Sequence, residues 1–178
     1  LYTAGNGSYP SVKLGRINKT LWYIQERKTF LDKLRKEINA FIKKAKSKGL
    51  VPCIRLNGTS DISWENTGLI DEFKSIQWYD YTKVYKRALK FVNGTLPKNY
   101  HITYSLNEDN KKQAFDILKK GGNISVVFRK SLPKKFNGYK VVNADQNDLR
   151  FLDPINSIAG LVAKGKAKKD FSGFVLDV

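Results

Sequence analysis

Val51-Pro-Cys-Ile-Arg-Leu-Asn-Gly-Thr-Ser-Asp61 carries the pattern on which the reading of the fold turns. Apolar residues run up to Leu56, and a polar cluster follows at once, ahead of the next helical segment. The same order recurs in Ile76-Gln-Trp-Tyr-Asp-Tyr-Thr-Lys83, in His101-Ile-Thr-Tyr-Ser-Leu-Asn-Glu108 and in Ile124-Ser-Val-Val-Phe-Arg-Lys130. Each reads as a buried strand whose tip holds groups that are costly to bury unpaired. Strands expected to start at 51, 76, 100 and 123 are spaced by 25, 24 and 23 residues. Helical patterns fill the gaps, so the rhythm predicts parallel βα units.

Working outward, Ser11 to Ile24 places Val12, Leu14, Ile17, Leu21 and Ile24 at helical spacing, with Ser11 as N-cap. A second helix is predicted over about 29–48, with Phe30, Leu31, Leu34, Ile38, Phe41, Ile42 and Ala45 as its apolar stripe and Gly49 as its stop. Between the strands, helices are expected near 67–74, 83–92 and 109–119, the last capped by Asn107 or Asp109. Beyond Pro133 the rhythm changes to a turn and short strand over 136–145, a core strand over 158–163 and a closing segment over 171–178. The whole reads as one α/β domain: 1–10 an extended lead-in, 11–49 helical, 50–130 βα repeats and 131–178 a β-rich closure.

Composition narrows the function classes. Hydrophobic residues at 41% supply a core, and no run approaches the ~20 apolar residues of a membrane span. Leu1-Tyr-Thr-Ala-Gly has neither the basic nor the apolar region of a signal peptide, and the chain contains no Met. A processed or partial chain is therefore expected. One cysteine, Cys53, excludes an internal disulfide and a Cys-only metal site, and fits a reducing, cytoplasmic setting. The sequons at Asn6, Asn18, Asn57, Asn93 and Asn123 read as chance in an Asn-rich chain.

Charge is the strongest compositional signal: 33 Lys+Arg against 16 Asp+Glu, a net +17. Such a surface favours nucleic acid or another phosphate-bearing partner. Candidate nucleic-acid contacts are Lys36, Lys43 and Lys44 on the second helix, and Lys164, Lys166 and Lys168 in the basic loop after the last core strand.

If the strands are parallel, their C-terminal ends share one mouth. Its expected ligand-binding wall is Arg55, Asn57, Asp61, Asp80, Tyr81, Lys83, Tyr104, Ser105 and Arg129, with Asn107, Asp145, Asp148 and Arg150 nearby. Asp61, Asp80 and Lys83 are the catalytic candidates, although no spacing assigns acid, base or nucleophile. The bland reading makes Asn57 and Asp61 caps and the other pairs local turn chemistry. The Asn57-Gly-Thr-Ser loop matches neither a P-loop nor a dinucleotide fingerprint. His101 stands at a strand start, away from the mouth, and reads as structural. Asp61, Asp80, Asp145 and Asp148 could serve Mg²⁺, which keeps a metal-dependent nuclease as an alternative, but no metal site is assigned. Trp64, in the loop after the first strand, is the tryptophan expected to be exposed for stacking.

Arg16…Asn18…Phe30, Arg55-Leu-Asn-Gly-Thr-Ser-Asp61, Asp80-Tyr-Thr-Lys83, Tyr100-His-Ile-Thr-Tyr-Ser105, Asp148-Leu-Arg-Phe-Leu-Asp-Pro154 and Gly160-Leu-Val-Ala-Lys-Gly165 together resemble an uncharacterised family of phage- and plasmid-borne proteins, related to radical-SAM-like partial barrels. The resemblance spans almost the whole chain. It implies a partial, open TIM-like barrel of βα units, with a site at the strand C-termini, and it carries no reaction to transfer. It also implies a cysteine-rich segment upstream of the lead-in, where an iron–sulfur cluster or zinc would bind. These 178 residues do not contain that segment, and on their own they support no cofactor. The functions left open are an enzyme-type domain holding a nucleotide or other phosphate-bearing ligand at the mouth, and a non-enzymatic DNA- or RNA-binding protein.

Overall fold

A computed structural model describes Gly7 and residues 9–178. The expected lead-in and the Asn6 sequon lie almost wholly outside the described residues. Two compact units divide the chain at Pro52/Cys53.

The first unit is a helical pair, α1 (Pro10–Gln25) and α2 (Arg27–Ser47). Ser11 is not the N-cap: Pro10 occupies the first turn, where its missing N–H costs nothing, and Tyr9 precedes it. The helices join at Glu26, beside an aromatic knot. Trp22 and Tyr23 meet Phe30 edge-on, at centroid distances of 5.1 and 5.4 Å, and Trp22 Nε1 donates to Thr29 Oγ1 at 3.1 Å. The knot buries Tyr23 and leaves the expected α1 stripe exposed at Leu14, Ile17, Leu21 and Ile24. On α2, Ile38 and Ala45 are buried, whereas Phe41 is exposed.

The second unit is a sheet with helices. Its strands are β1 (Cys53–Ile54), β2 (Gln77–Thr82), β3 (Tyr100–Ser105), β4 (Asn123–Phe128), β5 (Lys135–Phe136), β6 (Tyr139–Asn143), β7 (Ser157–Val162) and β8 (Val175–Leu176). Their order is β1-β2-β3-β4-β7-β6-β5, with β8 pairing β4. Every pairing is parallel except the β5–β6 hairpin. That hairpin turns on Asn137 and Gly138, both at positive φ (48° and 85°), as a tight two-residue turn demands. The α/β class, the mainly parallel strands and the irregular C-terminal β region are as expected; the strands form an open sheet, which by itself does not establish the expected TIM-like partial barrel. β1 is much shorter than the expected strand 51–56. The segment expected as a helix at 67–74 is a 3₁₀ turn, Trp64–Thr67, followed by the single turn α3 (Leu69–Glu72).

Helices α4 (Tyr85–Val92) and α5 (Lys111–Lys119) follow β2 and β3 and pack on one face. Strand alternation sends Trp78, Asp80 and Thr82 toward them, and Gln77, Tyr79 and Tyr81 to the opposite face. β1 to β4 add in one direction, whereas β7 slots back between β4 and β6. A right-handed connection from β6 to β7 must therefore cross the opposite face. Residues 144–153 do so: Phe151 packs on Tyr79 at 5.4 Å, and a 3₁₀ turn, Arg150–Leu152, lies against β3. The core is the helix-facing layer, with Trp78, Ile102, Ile117, Leu118, Ile124, Val126, Phe128 and Ile158 fully buried.

Candidate functional site

The parallel strands bring their C-terminal ends to one edge, and the expected wall residues fall into three groups along it. The first is buried under the helices. Asp80, 2% exposed, accepts from the Asn57 backbone N–H (3.0 Å), Asn57 Nδ2 (3.0 Å) and the Tyr100 hydroxyl (2.8 Å). Asn57 Oδ1 in turn accepts from Ser60 Oγ, Ile62 N–H and Trp64 Nε1 at 2.9–3.0 Å. Trp64 is thus 4% exposed, not the solvent-facing stacking residue expected, because its indole N–H closes the Asn57 loop. Arg87 of α4 donates to Glu65 through Nε and Nη2 (2.9 and 3.0 Å), to the Tyr100 hydroxyl (2.8 Å) and to Asp61. Asp61 also accepts from Thr82 Oγ1 and the Lys83 backbone N–H. Burial pushes the Asp80 carboxyl up to about 6, against the opposing pull of Tyr100, the Asn57 N–H and Arg87. Burial and neighbouring Asp80 hold the Tyr100 hydroxyl protonated far above the ordinary range.

Glu65, Arg87 and Tyr100 did not emerge from sequence reading. Arg87 had one signal: it stands four residues before Phe91 and next to the buried Ala88 on its helix.

The second group lies on the opposite face. Arg55 pairs with Asp148 and stacks over the Tyr81 ring at 5.0 Å, and the Tyr81 hydroxyl donates to Asp148 at 3.1 Å. These contacts fasten the crossing segment to β1 and β2. Burial, then Asp148, raises the Tyr81 hydroxyl. Arg150, 1% exposed, donates to Asn147 and pairs with Asp153 at 3.1 Å. Tyr104 and Ser105 separate by the same alternation. Tyr104 reaches Gln113 of α5 at 2.8 Å, while Ser105 Oγ accepts from Ser125 Oγ at 3.1 Å. His101 packs edge-on against Phe91 at 4.9 Å, and burial, aided by Arg150, lowers its ring to about 4.

The third group forms where the winding reverses, at the ends of β4, β7 and β8. Arg129 leaves β4 and its guanidinium ties that strand to two further stretches of chain, 168–170 and the one holding Asp177. Nε donates to Asp177 (2.6 Å), Nη1 to the Lys168 carbonyl (2.9 Å) and Nη2 to the Asp170 carbonyl (2.8 Å). Its flat face lies 4.5 Å from the centroid of Phe171. A 3₁₀ turn, Gly165–Lys169, projects Lys166, Lys168 and Lys169, which are exposed and pair with no carboxylate among the described residues. Lys164 is committed to Asp145 at 2.6 Å. Lys83 is exposed, with Nζ 5.5 Å from the Phe174 ring. In the helical unit, Lys36, Lys43 and Lys44 are exposed on α2.

The four carboxylates considered for Mg²⁺ are dispersed, each in its own set of donors, and no three His, Cys, Asp or Glu side chains among the described residues gather to hold a metal. Asn57 and Asn123 are buried, which removes two sequons from consideration. No described helix is long and apolar enough to cross a membrane.

A family model described as Gene product 88 matches residues 1–178. The chain belongs to the Gene product 88 family. Membership agrees with the phage-type family that the motifs resemble; the family description says nothing of a radical-SAM relation. No curated protein and no solved structure matches the chain. Within this Gene product 88 chain, the first two groups are closed on themselves, whereas at the edge of β4, β7 and β8 Lys166, Lys168 and Lys169 pair with no carboxylate among the described residues.

Proposed function

We propose that this protein binds a phosphate-bearing ligand, a nucleotide or nucleic acid, at the C-terminal edge of its sheet, and that it acts by binding rather than by acid–base chemistry. The observation that carries this reading is the set Lys166, Lys168 and Lys169, which meet no carboxylate among the described residues, beside the locked Arg129. In open α/β sheets, ligands sit outside the strand C-termini at a reversal of winding, and β4 and β7 flank the reversal here. Cations without a carboxylate partner at such a site attract anions. The catalytic candidates support binding over catalysis. Both oxygens of Asp80 are engaged, by three donors in all, and those of Asp61 by Thr82, Lys83 and Arg87. A nuclease would need carboxylates that converge, and these do not.

Calorimetric titration with inorganic tripolyphosphate tests the reading. Binding is expected at low salt, weakening as salt rises. The triple variant K166Q/K168Q/K169Q should bind several-fold more weakly while unfolding at the same temperature. Absence of binding by the unaltered protein at low salt would sink the proposal.

A further inference from the structure

We infer that the phosphate-bearing ligand is single-stranded nucleic acid, and that Phe171 is the platform on which one of its bases stacks. The inference rests on the binding reading above and adds the ligand's class and a residue to it. Phe171 is 82% exposed, the most exposed aromatic side chain among the described residues. An isolated exposed phenylalanine needs no explanation. This one differs in what lies behind it.

The Arg129 guanidinium stacks on one face of the ring at 4.5 Å. Its Nε, Nη1 and Nη2 are each held by a separate acceptor, so the cation is fixed, and it fixes the ring in turn. Asp170 Oδ1 accepts from Ser172 N–H and Oγ at 3.2 and 2.8 Å, which pins the backbone on the other side of Phe171. With one face backed by arginine, the ring offers the other to solvent. A base laid there completes a three-layer stack of base, phenyl and guanidinium, favourable for any base because each has a π-face.

Charge around the ring matches the rest of a nucleotide strand. Arg129, Lys130, Lys164, Lys166, Lys168 and Lys169, with Lys83 beside Phe174, outnumber the carboxylates Asp145, Asp170, Asp177 and Glu108, the last against Gly173, by seven to four. Two of those carboxylates already neutralise Lys164 and Arg129. The surplus therefore sits on the 3₁₀ turn, just before the ring in sequence, where a backbone would pass as its base reached Phe171. Duplex bases are stacked on one another and cannot use the ring. The geometry thus discriminates single strands from duplex, which charge alone would not.

Fluorescence anisotropy with a labelled thymidine homopolymer of roughly 12 nucleotides, within single-strand site sizes, tests this against a duplex of equal length. The single strand should bind more tightly than the duplex. Phe171→Ala should weaken single-strand binding roughly 5- to 150-fold and leave duplex binding unchanged. Phe171→Trp should keep the affinity, with its added indole emission quenched on binding. The exposed position means that neither variant disturbs the core, and their unfolding temperatures should match the parent. Unchanged single-strand affinity in Phe171→Ala, or equal affinity for duplex, overturns the inference. A protein that binds tripolyphosphate but not the homopolymer overturns this inference and leaves the broader reading standing; one that binds neither ends both.

Discussion

Asp80 and His101 illustrate how single residues set the behaviour of this sheet, because burial moves their titrations in opposite senses. Asp80, lifted from its ordinary 3.8 to about 6, binds its proton more tightly in the folded chain. Its contribution is full below the unfolded value and is lost as pH rises through 6. His101, lowered from 6.5 to about 4, is held neutral by burial. Its contribution is present above 6.5 and is lost as pH falls through 4. Each shift corresponds to about 3 kcal/mol, so across pH 4–6.5 the two nearly cancel. Removing either should expose the other. His101→Gln should gain stability relative to the parent as pH is lowered from 6.5 to 4, and Asp80→Asn should lose it over the same range. Urea midpoints at half-unit pH intervals measure this, and pH profiles for both variants that run parallel to the parent's would contradict it. Neither effect was legible beforehand. The sequence reading placed Asp80 in an open mouth, and only the pairing of β2 with β3 brings Tyr100, and the packing of α4 brings Arg87, around it.

At the scale of elements, the strand rhythm was the readable part. Expected strands at 76–81, 100–106 and 123–129 lie within a residue or two of β2, β3 and β4, because apolar runs with turn signals at a steady spacing have few other solutions. Which side chains share a site was less readable. Asp80 and Tyr81, and likewise Tyr104 and Ser105, are chain neighbours that alternation sends to opposite faces, so one mouth could not hold both members of either pair. β7 shows what its central place demands. A Cβ on Gly160 would stand 2.6 Å from Val141 Cγ1, 3.0 Å from Leu132 Cδ2 and 3.4 Å from Phe128 Cε2. β6, the chain after β4 and β4 itself all close on this point, and overfilling a tight core costs about 1–3 kcal/mol. Gly160→Ala should therefore lower the urea midpoint clearly, whereas Gly58→Ala, with open space at its Cβ, should not. Equal midpoints for the two would mean that β7 is packed more loosely than these distances imply.

For the molecule as a whole, the excess of positive charge raises the question of where a polyanion makes contact. Composition shows that the charge exists but not which lysines are free, since that depends on partners far apart in sequence. Lys164 is taken by Asp145, and Arg129 by Asp177, across 19 and 48 positions. Lys166, Lys168 and Lys169 on the sheet edge remain, as do Lys36, Lys43 and Lys44 on α2. Counterion release separates the two faces: each phosphate contact on a single strand adds about 0.7 to the slope of log K against log salt. If the sheet edge is the contact, K166Q/K168Q/K169Q should flatten that slope by about 2, while K36Q/K43Q/K44Q leaves it unchanged. The reverse outcome would move the contact to the helical unit and leave the sheet edge with a structural role. Both variants retain a large positive net charge, so a nonspecific attraction to the whole molecule would shift the two slopes equally. A difference between them can come only from which lysines touch phosphate.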